Sequence, residues 1–384
     1  VEIKPDILGL TAKTPDIREC EKLACKMKSI KSSIKVIVGG AHVTGIRKRV
    51  LEECDWFDFG IYGEGEITFC ELLDHFKKDN KPISEIDGLI HRDGDRIIEN
   101  RPRKFISDLN SLLFPAWHLF PRGTDLPLFT SRGCPFKCIF CQRVMGNSAR
   151  TMSPYRVIQE MEWNIREFGT TFFQIEDETF GLNREWTENF LDLIIQRGLN
   201  KRVTWFANSR VNIANLEIYR KMQRAGCVGL GFGIESGNQQ ILDIINKGFN
   251  LEDAKKAINL AKQAGLETHV FFILGHPFET KKTIRDTINF ACKLNPYDVA
   301  FGIMIPYPGT KISEMAKENK GGYIGLSENW EKYTKYFGGV LEFENLKKST
   351  LNWYQKKAYL KFCIRNFKSK KIYKKIKLYF SKQS

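Results

Sequence analysis

Between residues 126 and 310 the chain repeats one beat: a short apolar run, then a longer stretch in which apolar residues recur every three or four positions. The runs at 128–131, 171–175, 203–207, 228–232, 268–274 and 299–305 read as strands, because strands buried on both faces are short and nearly continuously apolar. The stretches 154–168, 184–197, 216–225, 239–245 with 251–264, and 280–294 read as helices, since their spacing gathers the apolar positions on one face. Six such steps predict a parallel sheet curled into a partial (βα)6 TIM-like barrel, smaller than the eight-fold one. The beat also opens the chain. Asp6-Ile7-Leu8-Gly9-Leu10, Val36-Ile37-Val38-Gly39-Gly40 and Phe59-Gly60-Ile61-Tyr62 read as strands, with helices over 16–30 and from Gly63-Glu64-Gly65-Glu66 to 77. The fold class is therefore α/β, with a partial Rossmann-like domain in front of the barrel. Residues 86–125 read as a connector: two short runs flank Asp93-Gly94, a strong hairpin signal, and Pro102, Pro115 and Pro121 follow. The expected divisions are 1–85, 86–125, 126–320 and a C-terminal region 321–384 of aromatic-rich pieces and a basic helical tail.

Composition changes this picture little; charge changes it more. Of 384 residues, 42% are hydrophobic and 27% charged, which excludes a disordered chain, a collagen-like repeat and a small disulfide scaffold. No run of apolar residues is long enough for a spanning helix. The opening Val1-Glu2-Ile3-Lys4-Pro5-Asp6 has no apolar leader pattern, so the expected location is cytoplasmic; a start at Val1 also suits a fragment. The net charge of +15 is concentrated at one end: residues 347–384 hold thirteen Lys or Arg and no Asp or Glu, leaving +2 for the other 346 residues. In that tail Ile372, Ile376, Tyr379 and Phe380 form one helical stripe, and Lys370, Lys371, Lys374, Lys375 and Lys377 mostly cover the rest. A basic amphipathic helix suits peripheral contact with an anionic inner membrane face. Nucleic acid is the less favoured partner, because the apolar stripe is continuous and aromatic.

Three of the ten cysteines are clustered. Arg132-Gly133-Cys134-Pro135-Phe136-Lys137-Cys138-Ile139-Phe140-Cys141 spells Cys-x3-Cys-x2-Cys. Three thiolates in eight residues can hold three irons of a [4Fe–4S] cluster, which ordinarily takes four, and so leave one iron open for chemistry. The rival is a structural zinc site; it wants a fourth Cys or His at ligand spacing, and none is supplied nearby.

On these residues the chain resembles the radical S-adenosylmethionine (SAM) superfamily. The resemblance covers about 127–312 and includes Glu176-Asp177-Glu178-Thr179-Phe180, Asn208-Ser209-Arg210-Val211, Gly231-Phe232-Gly233-Ile234-Glu235-Ser236-Gly237 with Asn246-Lys247-Gly248, Leu274-Gly275-His276-Pro277-Phe278-Glu279-Thr280, and Pro306-Tyr307-Pro308-Gly309-Thr310. Each element follows a predicted strand, at the barrel end where such enzymes build their sites. The resemblance implies that Cys134, Cys138 and Cys141 ligate a [4Fe–4S] cluster whose open iron chelates SAM, and that the reduced cluster cleaves SAM to a 5′-deoxyadenosyl radical. It implies that Phe140 packs beside the adenine, that Asp177 and Glu178 meet the methionine ammonium, that Arg210 pairs with its carboxylate, and that Glu235 or Ser236 reaches the ribose. His276 is a candidate to face the substrate; no side chain is singled out as catalytic.

Residues 4–77 resemble the second half of the cobalamin-binding domain that precedes many radical SAM proteins. The matching residues are Pro5 to Thr11, Val38-Gly39-Gly40-Ala41-His42-Val43-Thr44 and Gly60 to Glu66. By this resemblance Gly39, Gly40 and Thr44 line a cobalamin crevice, and His42 belongs to the glycine loop rather than to a metal. A further strand–helix–strand–helix unit, usual at the front of that domain, is not in the sequence, nor is an Asp-x-His-x2-Gly motif.

The expected activity is radical modification of an unactivated carbon in a small-molecule or lipid-like substrate, most often methylation in relatives of this layout. Such an enzyme needs a low-potential electron donor such as flavodoxin or ferredoxin. An oxidative cyclase or rearrangement enzyme is the alternative. A transfer-RNA methylthiotransferase fits less well, because Cys20, Cys25, Cys54 and Cys70 lack the spacing of a second cluster site and the tail is no β-barrel. From another class, a non-catalytic iron–sulfur or zinc binding module remains.

Overall fold

The computed structural model describes residues 4–77, 81–121, 123–334 and 339–366. The chain divides into two compact units. One comprises residues 1–106, 138–146 and 305–344, the other 107–137, 147–304 and 345–384.

The first unit is built on a five-stranded sheet in the order β1 (Ile7–Thr11), β2 (Lys35–Gly39), β3 (Phe59–Ile61), β4 (Leu89–Asp93), β5 (Arg96–Glu99). The first three strands are parallel, and β3–β4 and β4–β5 are antiparallel. Helices α1 (Ile17–Ile30), α2 (Ala41–Ile46), α3 (Arg49–Glu52) and α4 (Glu66–Phe76) connect and cover it. Alternation across β2 explains the two-sided burial: Val36 and Val38 join one apolar cluster with Val43 and Phe57, while Ile37 joins another with Ile61, Leu72 and Leu89. The expected connector hairpin is part of this sheet. Ile90 lies opposite Gly60, and Leu89 opposite Ile61, both fully buried. Without β4, the backbone of β3 would be an unpaired edge.

The second unit holds six parallel strands in the order β13-β12-β11-β10-β9-β6. In chain order these are β6 (Asp125–Leu128), then a small pair β7 (Ser131–Arg132) and β8 (Arg150–Thr151), α5 (Pro154–Phe168), β9 (Phe172–Ile175), α6 (Arg184–Gln196), β10 (Thr204–Ser209), α7 (Leu216–Arg224), β11 (Cys227–Glu235), α8 (Gln239–Ile244), α9 (Leu251–Gln263), β12 (Glu267–Leu274), α10 (Lys281–Leu294) and β13 (Asp298–Ile303). Caps set the helix starts. Ser153 accepts from Arg156 N ahead of Pro154, and Asn250/Asp253 and Thr280/Thr283 form capping boxes. Alternate strand residues such as Phe173, Trp205, Phe232, Phe272 and Phe301 fill the core. The first strand lies three residues earlier than its apolar pattern predicts. Thr130 N and Ser131 N donate to Asp177 Oδ1 at 2.7 and 3.1 Å instead of entering the parallel ladder.

After β13, α11 (Lys311–Lys317) and the antiparallel pair β14 (Tyr323–Leu326) and β15 (Leu341–Phe343) belong to the first unit, whose core takes in Trp330, Tyr333 and Val340. Helix α12 (Lys348–Arg365) returns to the second unit. It covers the edge strand β13: Gln355 Nε2 donates to Phe301 O at 2.7 Å, and Phe301 N donates to the Tyr359 hydroxyl at 2.9 Å. The basic stripe at Ile372, Ile376, Tyr379 and Phe380 lies outside the described residues. Among the described residues no helix is long and apolar enough to cross a membrane.

Candidate active site

The second unit places its chemistry-bearing residues at the C-terminal ends of its strands, and each end is tied down differently. After β9, Asp177 is buried and accepts from Thr130 N, Ser131 N, Ser131 Oγ (2.6 Å) and Thr130 Oγ1 (2.5 Å). Burial pushes its carboxyl up from the usual carboxylate range, and the four hydrogen bonds pull against that shift. Both oxygens of Asp177 thus serve the chain that leads into the cysteine loop. Its neighbour Glu178 is exposed, and its Oε2 accepts from Gly133 N at 3.1 Å. Gly133 has φ 86°, a left-handed turn just before Cys134. The Cys134 sulfur lies 3.6 Å from Thr179 Oγ1.

After β10, Arg210 is buried. Its guanidinium carbon sits 3.5 Å from the centre of the Phe136 ring, inside the cysteine loop. It also donates to Lys247 O and to Asn212 Oδ1. The Asn246-Lys247-Gly248 turn is a second anchor for the loop, because Asn246 Nδ2 donates to Lys137 O at 3.1 Å. Lys247, almost wholly buried, pairs with Glu235 at 3.1 Å. Glu235 ends β11 with φ 72°, a conformation costly for a non-glycine residue, held here by that ion pair and a bulge against β12. Ser236 is fully buried, lies 3.2 Å from Thr287 Oγ1 and accepts from Asn238 N. The hydroxyl thus fastens the start of α8 to α10.

After β12, Glu279 folds back to accept from Gly275 N and His276 N. Complete burial pushes its carboxyl up to about 8 and pushes the His276 imidazole down to about 4. His276 Nε2 lies 3.3 Å from Glu235 O. The imidazole is thus packed among strand ends.

In the first unit the glycine loop is shaped by contacts within the protein. Gly40 has φ 101°, and a Cβ there would lie 2.7 Å from Ala12 O. Thr44 donates to Gly40 O and accepts from Gly63 N, so it joins two glycine turns. Gly39 lies beside Ile61 O, and a Cβ at Gly63 would meet nothing within 4 Å. His42 is core: fully buried, 3.2 Å from Thr14 Oγ1 and edge-on to Trp330. Gln142, next to Cys141, donates to Ala41 O and Pro308 O, each at 2.9 Å.

The cysteine loop runs through both units, Cys134 in the second and Cys138 and Cys141 in the first. All three thiols are free of disulfides. Among the described residues no three His, Cys, Asp or Glu side chains stand together as a preformed metal site. What fits the cluster is the donor set: three soft thiols in one short loop, entered through a glycine turn. Phe140 is half-buried in this loop.

Comparison with known proteins decides the family. Residues 128–291 match the model of the Radical SAM superfamily, and residues 1–73 match the B12 binding domain. An uncharacterized methyltransferase of Pyrococcus horikoshii is 34% identical over 370 residues, covering 94% of this chain and 79% of that protein. The chain belongs to the radical SAM superfamily and carries a B12-binding domain. The anaerobic magnesium-protoporphyrin IX monomethyl ester cyclase of Cereibacter sphaeroides is 32% identical over 332 residues, 83% of this chain; the chain spans 54% of that relative's length. Among solved structures, the radical SAM methyltransferase TsrM of Kitasatospora setae aligns with a TM-score of 0.75 at 17% identity, over 95% of this chain and 79% of that one. The cobalamin-dependent enzyme OxsB aligns with a TM-score of 0.76 at 18% identity, over 97% and 62%. These two likenesses support the fold: a partial barrel and a B12-binding-type sheet in one chain. As a radical SAM enzyme with this front domain, the protein uses a [4Fe–4S] cluster, SAM and cobalamin.

Several site residues escaped the sequence reading. Lys247 stood inside a quoted motif with no role attached, and Gln142 stood directly beside the last cysteine. Glu279 had a faint signal, an acid two residues after a proline at a strand end.

Proposed function

We propose that this enzyme methylates an unactivated carbon of a small-molecule or lipid-like substrate. The observation that carries the reading is the pairing, in one chain, of the Cys134–Cys138–Cys141 core with a B12-binding domain, in a protein alignable over 94% of its length with a methyltransferase. When bound, the reduced cluster with SAM supplies hydrogen-atom abstraction, and cobalamin supplies methyl carriage. The chain's own residues position these groups. Cys134, Cys138 and Cys141 would hold the cluster, three thiolates where four are usual. Arg210, stacked on Phe136, would orient a carboxylate beside the loop, and Glu178, exposed beside Gly133, would accept from an ammonium group. Glu235 is the remaining candidate for a ribose contact, and Phe140 for the adenine. Gly39 and Gly40, with Thr44 fixing the turns around them, would offer main chain to a large flat ligand. Electrons come from a low-potential donor such as flavodoxin or ferredoxin, and the basic residues after 366 serve peripheral contact with an anionic inner membrane face of the cytoplasm.

The test is anaerobic turnover with reductant, cobalamin and SAM labelled in its methyl group. Methyl transfer yields S-adenosylhomocysteine together with 5′-deoxyadenosine and a labelled product. A second reading, an oxidative cyclase, is favoured by cyclase relatives at 32%, 30% and 28% identity. It yields 5′-deoxyadenosine without S-adenosylhomocysteine. A loaded cluster that forms neither product defeats both and leaves a binding module.

A further inference from the structure

Helix α12 is apolar on two opposite faces. Leu351, Tyr354, Ala358 and Phe362 are buried against the second unit. On the other side Trp353, Leu360 and Ile364 are 52%, 50% and 62% exposed. Spacings of seven and four residues put these three in one line along the helix. Single exposed apolar residues are ordinary, whereas three large ones aligned on a helix form a surface that water penalises.

The charges around this line have one sign. Lys356 and Lys357 flank it, and the Lys357 ammonium sits 4.4 Å over the Trp353 ring. Arg365 closes the helix, and Lys361 donates to Asn289 on the neighbouring α10. That neighbour exposes Lys281, Lys282, Arg285 and Lys293, against a single acid, Asp286. Residues 347–366 include no Asp or Glu. We propose that the outer face of α12, its Trp353–Leu360–Ile364 line and flanking cations, docks on an anionic lipid bilayer. An apolar line bordered by cations, with a tryptophan whose amphipathic ring suits the headgroup level, is what an interfacial helix presents. A protein partner would have to supply every compensating acid itself. This surface lies in the folded helix, upstream of the basic residues after 366, and does not depend on the methyl-transfer reading.

The experiment is flotation of the full chain with phosphatidylcholine vesicles, with and without phosphatidylglycerol, beside the variant W353S/L360S/I364S, whose residues after 366 are unchanged. The unaltered chain is expected to float only with the anionic vesicles, and the variant to bind at least about tenfold more weakly as lost apolar contact dictates. Circular dichroism and the melting temperature of the variant should match those of the unaltered chain, because all three side chains face solvent. If the variant floats as well as the unaltered chain, the basic tail binds alone and this proposal falls while the tail reading stands. If neither floats, both fall. If neither floats and the unaltered chain is a dimer where the variant is a monomer, the face is a contact between copies and the lipid proposal is overturned.

Discussion

The strand ends of the two units are finished in opposite ways. In the second unit they are held by charged and polar side chains: Asp177 on Thr130 and Ser131, Arg210 on Lys247 O, Lys247 on Glu235, Glu279 on Gly275 and His276. At the ends of β1 and β2 in the first unit the holders are glycines, main chain and a threonine hydroxyl, with Gly40 against Ala12 and Thr44 bridging Gly40 and Gly63. Under the proposed function, the difference suits what each surface would approach. A small zwitterion and a charged cluster call for fixed charges held where water cannot relax them. A broad macrocycle calls for bare backbone and the absence of Cβ atoms. Side-chain anchors also cost more when broken, since a buried unpaired group loses its solvation outright.

This contrast can be broken in several places. The largest effect is on chemistry alone. Cys134→Ala should abolish iron loading and 5′-deoxyadenosine formation, while cobalamin binding, followed by equilibrium dialysis, persists; loss of both would show that the two sites are not separable. Asp177→Ala orphans buried donors at about 1–3 kcal/mol each, so urea denaturation should show a loss of about 4 kcal/mol or more. Lys247→Met leaves Glu235 buried and unpaired and should cost about 3–5 kcal/mol, much of it recovered by adding Glu235→Gln. A double variant no better than the single would mean the pair is not what holds the Glu235 backbone.

In the first unit the corresponding change is smaller. Gly40→Ala forces a Cβ into a φ of 101° and against Ala12, a strain of about 1–3 kcal/mol. Because this anchor is backbone, cobalamin affinity should fall with it, and cluster content should not.

A further effect is in the pH profile, and it has one sign for Glu279 and the opposite sign for His276 and His42. Glu279 titrates at about 8 when folded against 4.5 ordinarily, so above 4.5 the unfolded chain sheds a proton that the folded chain keeps. Its contribution is present at low pH and is lost as pH rises to about 8. His276 and His42 titrate at about 4 against 6.5, so their contributions are present above 6.5 and are lost as pH falls toward 4. Between pH 6.5 and 8 only Glu279 of these three still changes charge. Glu279→Gln should flatten the fall of the urea midpoint across that window. His42→Phe should flatten the acid side, and a variant that leaves its slope unchanged would remove His42 from the account.

Much of the fold was legible because its signals are local. The six strands and the helices between them follow from period and caps, and Asp93-Gly94 announced its hairpin. The hairpin's membership in the first sheet was not legible, since pairing Ile90 with Gly60 is a contact between residues distant in sequence. The register of the first barrel strand was missed for a similar reason: an aspartate 47 positions along claims the N–H of Thr130.

What the sequence determined by itself is the set of chemical groups: three thiols in one loop, glycines at strand ends, acids and an arginine after strands. Covalent spacing and element periodicity are written in neighbouring residues, and no folding is needed to read them. Only the tertiary structure decided which groups are spent on the protein and which stay available to a ligand. Asp177 and Ser236 are consumed by buried donors and hydroxyls, while Glu178, one residue from Asp177, faces solvent. That division is set by burial, because a polar group removed from water must be satisfied by whatever the fold has brought beside it.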